Sequence, residues 1–261
     1  MGTIAAPVLL MRGLAVSCLA AASLAACSPA PTPSQSSAAP PVPSPSAPAS
    51  VSPSPSLSTT PSATVLTTAV SATTARGTAR VAISVLTTVE GFDDEIDGEG
   101  LTVLGSGDAD LTWNSAVGQT REIITANELF VQLEPPSGAW VAVPVEEWTP
   151  TAAAGRPLRG LSDIPDARPD GTEVLDGVET TRYRGFLDLA GHGDGLGLNE
   201  RALQLAAASP SARIEVTVWI DGRGLIVQVL RTLVGTTDVA ASTVTRLADF
   251  GTSAAIAPPI E

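Results

Sequence analysis

The chain has 261 residues, with 14 arginines, no lysine, 27 acidic residues, one histidine and a net charge of −13. Nucleic acid is excluded as a partner, because counterion release needs clustered positive charge. The charge is also unevenly placed: Arg12 is the one charged residue before Arg76, and the first acid is Glu90.

Residues 1–26 carry a single positive charge, Arg12, followed by an apolar stretch from Gly13 to Ala26 rich in small side chains. That stretch is too short to cross about 30 Å of hydrocarbon as a helix but suits the apolar region of an export signal. Leu24-Ala25-Ala26-Cys27 matches a bacterial lipobox, in which small residues enter the peptidase cleft in extended form. The thiol there is the nucleophile able to take a diacylglyceryl group as a stable thioether. Residues 1–26 therefore read as a lipoprotein signal peptide, with Cys27 becoming an S-diacylglycerol, N-acylated first residue. Cys18 leaves with the signal, so the mature chain has no pair of cysteines for a disulfide. Two or three acyl chains on one residue hold firmly where a single one does not.

Residues 28–62 contain 11 prolines, 12 serines and no charge. Proline removes amide donors, and there are too few large apolar side chains to offset the entropy of ordering. Residues 27–62 are thus expected to be a disordered tether carrying the lipidated cysteine, reaching on the order of 110 Å if extended and about 30 to 35 Å as a coil. Residues 63–261 form the expected folded domain, with 13 arginines against all 27 acids. Such a domain is repelled by an anionic bilayer surface, and the tether keeps it clear of one.

Val65, Leu66, Ala69, Val70 and Ala72 recur at helical intervals and end at Gly77, predicting a leading helix. "RVAISVLTTV" alternates Val81, Ile83, Val85 and Val89 with polar residues, the period of a strand with one dry face. "FDDEIDGEG" reads as a solvated acidic turn. "DADLTW" predicts a strand with Ala109, Leu111 and Trp113 on one face. "REIITANELFVQL" predicts a hairpin in which Leu129, Val131 and Leu133 share a face, and "GAWVAVPV" an edge or end at Pro144. Asp176-Gly177 and Asp221-Gly222 mark two further hairpin turns. Between them "LNERALQLAAASP" predicts a short helix, with Asn199 as its N-cap and Pro210 beyond its end. "STVTRLADFG" reads as the last strand. The sum is an α+β domain of about eight to ten antiparallel strands with a leading and an inserted helix. With so few aromatic side chains, such a core leaves room for a cavity.

The chemistry is sparse. His192 stands in a glycine-rich stretch near Asp194 without a nucleophile elbow, and reads as an exposed loop histidine. One histidine and one alkylated cysteine exclude a His/Cys zinc site. Asp93, Glu95, Asp97 and Gly98 follow a calcium loop, but Leu104 stands where the bidentate Glu belongs, so no metal is expected. The glycine-rich "GSGDAD" and "GRGL" lack a nucleotide-binding setting. No cofactor and no catalytic residue are expected; the chain reads as a non-enzyme.

The lipobox, the Pro/Ser tether, the leading helix and then "DGVETTRYRGFLDLA", "VTVWIDGRGLIVQV" and "LADFGTSAAIAPP" in that order resemble actinobacterial lipoproteins of the LppX/LprG type. The resemblance covers roughly residues 60 to 261. It implies a fold similar to the LolA half-barrel, a curved antiparallel sheet wrapped around the N-terminal helix and one or more inserted helices. It also implies a monomer on the outer face of the cell membrane that carries an apolar lipid or lipoglycan between sheet and helices. Val81, Ile83, Val85, Leu129, Val131, Ile214, Val216 and Val218 are then the candidate cavity lining. In a closed fold the same residues are plain core, and the domain is a sensing or binding module for an envelope protein partner. Residues 146–171 do not map onto the family's helices.

Overall fold

A computed structural model describes residues 62–125, 128–144, 156–253 and 255–259. All of them belong to one unit, Ser56–Glu261. A helix, α1 (Ser62–Thr74), leads into eleven strands: β1 (Thr78–Val89), β2 (Phe92–Val103), β3 (Ala109–Ser115), β4 (Gly118–Ile124), β5 (Leu129–Leu133), β6 (Trp140–Val143), β7 (Arg168–Leu175), β8 (Val178–Asp188), β9 (Arg213–Asp221), β10 (Ile226–Val234) and β11 (Val239–Ala248). Two short helices, α2 (Leu189–His192) and α3 (Glu200–Ala207), lie between β8 and β9.

The strands form a single antiparallel sheet in the order β6-β5-β4-β3-β2-β1-β11-β10-β9-β8-β7. Each strand pairs with its sequence neighbour except at the centre, where β1 meets β11. The long alternating strand β1 sits there because its inner residues, from Ala79 to Val85, find buried neighbours on both sides. The edges go to strands that tolerate solvent: β6 is short and followed by Pro144, and β7 contains Pro169 and a register shift.

α1 buries Leu66, Ala69 and Thr73, one stripe at helical spacing. Thr73 Oγ1 donates to Ala69 O at 2.7 Å and accepts from Ile226 N at 2.9 Å, tying the helix to the start of β10. The chain leaves α1 through Gly77 at φ 79°, as predicted. The predicted turn at Asp176-Gly177 has positive φ at both residues. At the β9–β10 turn the loop is longer than two residues, because Asp221 Oδ1 accepts from both Arg223 N and Leu225 N at 2.9 Å. Asn199 caps α3, its Oδ1 accepting from Ala202 N at 2.9 Å. Asn199→Ala is expected to cost about 1 kcal/mol and to lower the thermal midpoint by about 2 to 4 °C.

One stretch departs from its reading. "FDDEIDGEG" is not a turn but the greater part of β2, paired with both β1 and β3. Asp93, Glu95, Asp97 and Glu99 take the outer face, and Ile96, Gly98 and Gly100 the inner one. The alternation is hidden because three of its inner positions are Asp94, Gly98 and Gly100. A Cβ at Gly98 would lie 2.4 Å from Trp113 Cε3, and one at Gly100 only 1.9 Å from Asp110 O.

Residues 145–155 lie outside the described residues. From Arg156 the chain crosses the concave side, through a 3-10 turn at Leu161–Asp163, burying Leu161, Ile164 and Ala167. Gly185 of β8 makes room for it: a Cβ there would lie 2.3 Å from Ile164 Cγ2. A further 3-10 turn, Gly193–Leu196, joins α2 to α3. None of the described helices is long and apolar enough to cross a membrane.

Candidate functional site on the concave face

Pairing carries the inner positions across the sheet in rows. Val81, Gly100, Leu111, Glu122, Val131 and Val141 form one. Ile83, Gly98, Trp113, Thr120 and Leu133 form the next. On the other side of β1, Val85 is followed by Thr243, Arg231, Val216 and Gly185. All eight candidate lining residues share this face, as the period-two reading requires.

Their environments differ from that of an empty cavity. Val81, Ile83, Val85, Leu129, Ile214, Val216 and Val218 are buried in one apolar core with α1, the 3-10 turns and α3, and only Val131 is partly exposed. Over β1 and β8–β11 the concave face is therefore filled. A groove of about 720 Å³ does occur at the end of the sheet, bordered by Leu189, Gly193, Leu203, Ala207, Pro210 and Ala212. A second, of about 580 Å³, is bordered by Ala82, Asp97, Glu99, Asn114, Val244 and Arg246. Ile83 alone of the eight borders either groove.

The wing formed by β2–β6 is different. Phe92 is 82% exposed, Leu133 60% and Val141 56%, all at inner positions. Ile96, Val131 and Val143 lie between them and the core, each partly buried against it. At the base of this apolar surface Trp113 Nε1 donates to Glu122 Oε2 at 3.0 Å, both side chains buried. A buried carboxylate needs such a donor. The wing is braced from its outer side. Arg121 makes a bidentate pair with Asp110, at 2.8 and 2.6 Å, and lies 5.7 Å from the Trp140 ring centre. The hydrogen bonds that Arg121 donates to Asp110, more than the charge of Asp110, raise the Arg121 pKa above the ordinary guanidinium value.

The remaining sequence candidates do not converge. His192 is on α2 rather than in an exposed loop, half-buried, with Nδ1 2.7 Å from the position of a Cβ on Gly160. That close packing on a glycine accounts for its burial. Asp93, Glu95 and Asp97 stand about 7 Å apart along a strand, too far to converge on one calcium ion. Among the described residues no cluster of His, Cys, Asp or Glu is placed to hold a metal. Cys27 lies outside the described residues. Sequence reading missed Phe92, taken as part of a turn, and the buried Glu122 and Arg231, whose positions look like ordinary polar strand sites.

An open antiparallel meander curled around a leading helix and an inserted helical segment defines the class of fold, a LolA-like half-barrel. Among the structures to which it is similar are two mycobacterial lipoproteins. LprF from Mycobacterium bovis matches with a TM-score of 0.51 and 16% identity over 77% of this chain and 97% of that one. Lipoprotein LppX from Mycobacterium tuberculosis matches with a TM-score of 0.50 and 15% identity over 75% of this chain and 97% of that one. No family model and no curated protein sequence matches. The half-barrel expected from the sequence is thus the fold observed, with eleven strands in place of eight to ten.

Proposed function

We propose that the chain is a monomeric, non-enzymatic cell-envelope lipoprotein, anchored through acylated Cys27 to the outer face of the cell membrane, whose half-barrel binds an apolar lipid or the acyl part of a lipoglycan. The observation that carries this reading is the inner apolar surface of the β2–β6 wing, where Phe92, Leu133 and Val141 stay exposed beside a closed core. Val131, Leu133 and Val141 are neighbours on the paired strands β5 and β6, with Phe92 apart from them at the start of β2, and exposed apolar surface shared by paired strands marks an interaction site in soluble domains. The two lipoproteins of similar fold support a place in the envelope.

The test is organic extraction of protein purified from its membranes, followed by mass spectrometry of the released lipid. The acyl groups on Cys27 are covalent and stay behind, so a stoichiometric lipid in the extract is ligand. Finding none, with no uptake on mixing with extracted membrane lipid, would overturn the reading. Replacing Phe92, Leu133 and Val141 together by serine is expected to weaken uptake by at least about tenfold. The thermal midpoint should move by no more than about 2 °C, because the three side chains contribute little to the core.

A second reading is favoured by the filled concave face under α1 and α3: a module that binds or senses an envelope protein and holds no lipid. Under it the same triple substitution removes a protein partner, recovered by cross-linking in intact cells, and leaves lipid content unchanged.

A further inference from the structure

Thr243 and Thr245 are fully buried on the concave face, and neither Oγ1 makes a hydrogen bond. They stand two residues apart on β11, about 7 Å along the strand. Ile83 and Val229 flank Thr245, and Val85 flanks Thr243. Directly across from Thr243 is Arg231, also buried, whose Nη2 donates to Pro157 O at 2.8 Å and Arg159 O at 3.0 Å. Valine would fill the two threonine positions with the same shape. A hydroxyl taken from water and left unpaired is the costly case, and native folds rarely keep two side by side.

The segment lying over this polar group is built to sit close to it. The 3-10 turn Gly193–Leu196 and the residues after it place Gly195 and Gly197 directly on the sheet. A Cβ at Gly195 would lie 3.4 Å from Arg231 Cδ, and one at Gly197 2.6 Å from Val85 Cγ1. Leu196 and Leu198 fill the face around them. Glycines at 191, 193, 195 and 197 give this segment little intrinsic helix propensity, so what holds it down is chiefly the burial of two leucines.

We propose that Thr243, Thr245 and Arg231 form the polar end of a lipid site. They take the carboxyl or ester oxygens of an acyl lipid when segment 193–198 lifts, and the alkyl chain occupies the space of Leu196 and Leu198 beside Val85 and Val216. The proposal rests on the lipid-binding reading and adds to it an acyl lipid as ligand and a location. The exposed wing then serves the distal part of the chain. The two hydroxyls, unpaired in the closed state, gain acceptors in the bound one.

The experiment uses the full-length protein in amphipol and three photoreactive diazirine probes: a long-chain fatty acid, its methyl ester and an alkane of equal length. Cross-links to segment 193–198 and β11, located by peptide mass spectrometry, are expected from the acid and the ester, and about tenfold fewer from the alkane. If Arg231 dominates, the acid labels more strongly than the ester; if the hydroxyls do, the two are equal. Thr243→Val with Thr245→Val is expected to raise the thermal midpoint by about 2 °C or more, while reducing acyl-probe labelling about tenfold to the alkane level. Thr243→Ser with Thr245→Ser keeps the hydroxyls and should keep the labelling. A more stable valine variant with unchanged labelling would overturn this site and leave the lipid-binding reading intact, as would loss of labelling in the serine variant. Labelling of the wild-type chain by none of the probes would overturn both.

Discussion

Cys27→Ala is expected to leave an unprocessed precursor, heavier by the leader of residues 1–26, and to abolish incorporation of labelled fatty acid. The cause is chemical. No other residue near the end of the leader has a thiol, and alanine cannot form the thioether that precedes cleavage. Each buried methylene is worth about 0.8 kcal/mol, so removing two or three acyl chains removes membrane binding by many orders of magnitude. The acidic domain offers no compensating attraction to an anionic surface. Gel mobility, fatty-acid labelling and membrane fractionation read the three consequences separately. A variant that is still cut at the same place and still sediments with salt-washed membranes would show that the anchor lies elsewhere.

Gly100→Ala is expected to destabilise the fold by about 3 kcal/mol or more, at the upper end of overpacking effects. The added Cβ would meet the backbone carbonyl of Asp110 at 1.9 Å. A carbonyl fixed in the sheet cannot rotate away as a side chain can, so relief requires parting β2 from β3 at the pair Gly100 and Leu111. That pair lies in the row leading to Glu122, Val131 and Val141, and the wing is lost with it. Gly98→Ala meets the Trp113 ring at 2.4 Å instead. A side chain can shift, and the cost should be smaller. Thermal or urea unfolding of the two variants gives the order; a Gly98 variant less stable than the Gly100 one would show that the Trp113 and Glu122 pair, not the backbone, is the rigid element.

These glycines also explain where the sequence was hard to read. β1 and β9 announce themselves because their inner positions are mostly Val and Ile, and alternation of large apolar with polar residues has one physical meaning. In β2 the same alternation exists, but two of its inner members are glycine, Gly98 against the Trp113 ring and Gly100 against the Asp110 carbonyl. The visible residues are then the outer carboxylates, and the stretch looks like a solvated turn. His192 misleads in the opposite sense: its glycine neighbours suggest an exposed loop, yet Gly160 lets the ring pack closely. The eight candidate lining residues share one face, as period two requires, while the covering of seven of them, Leu129 on β5 included, and the partial exposure of Val131 depend on which helices land there.

Local chemistry is legible in the residues alone: where charge begins, where a cysteine meets a charge-free tract rich in proline, and which side chains of most strands point the same way. These follow from residue type and near-neighbour spacing. Only the tertiary structure decided that Phe92, Leu133 and Val141 stay in solvent while Val85 and Val216 do not, and that two threonine hydroxyls and an arginine meet beneath Leu196 and Leu198. Burial and hydrogen-bond satisfaction belong to pairs of segments up to 174 residues apart, as Thr78 and Thr252 are, and no local pattern encodes which segments will meet.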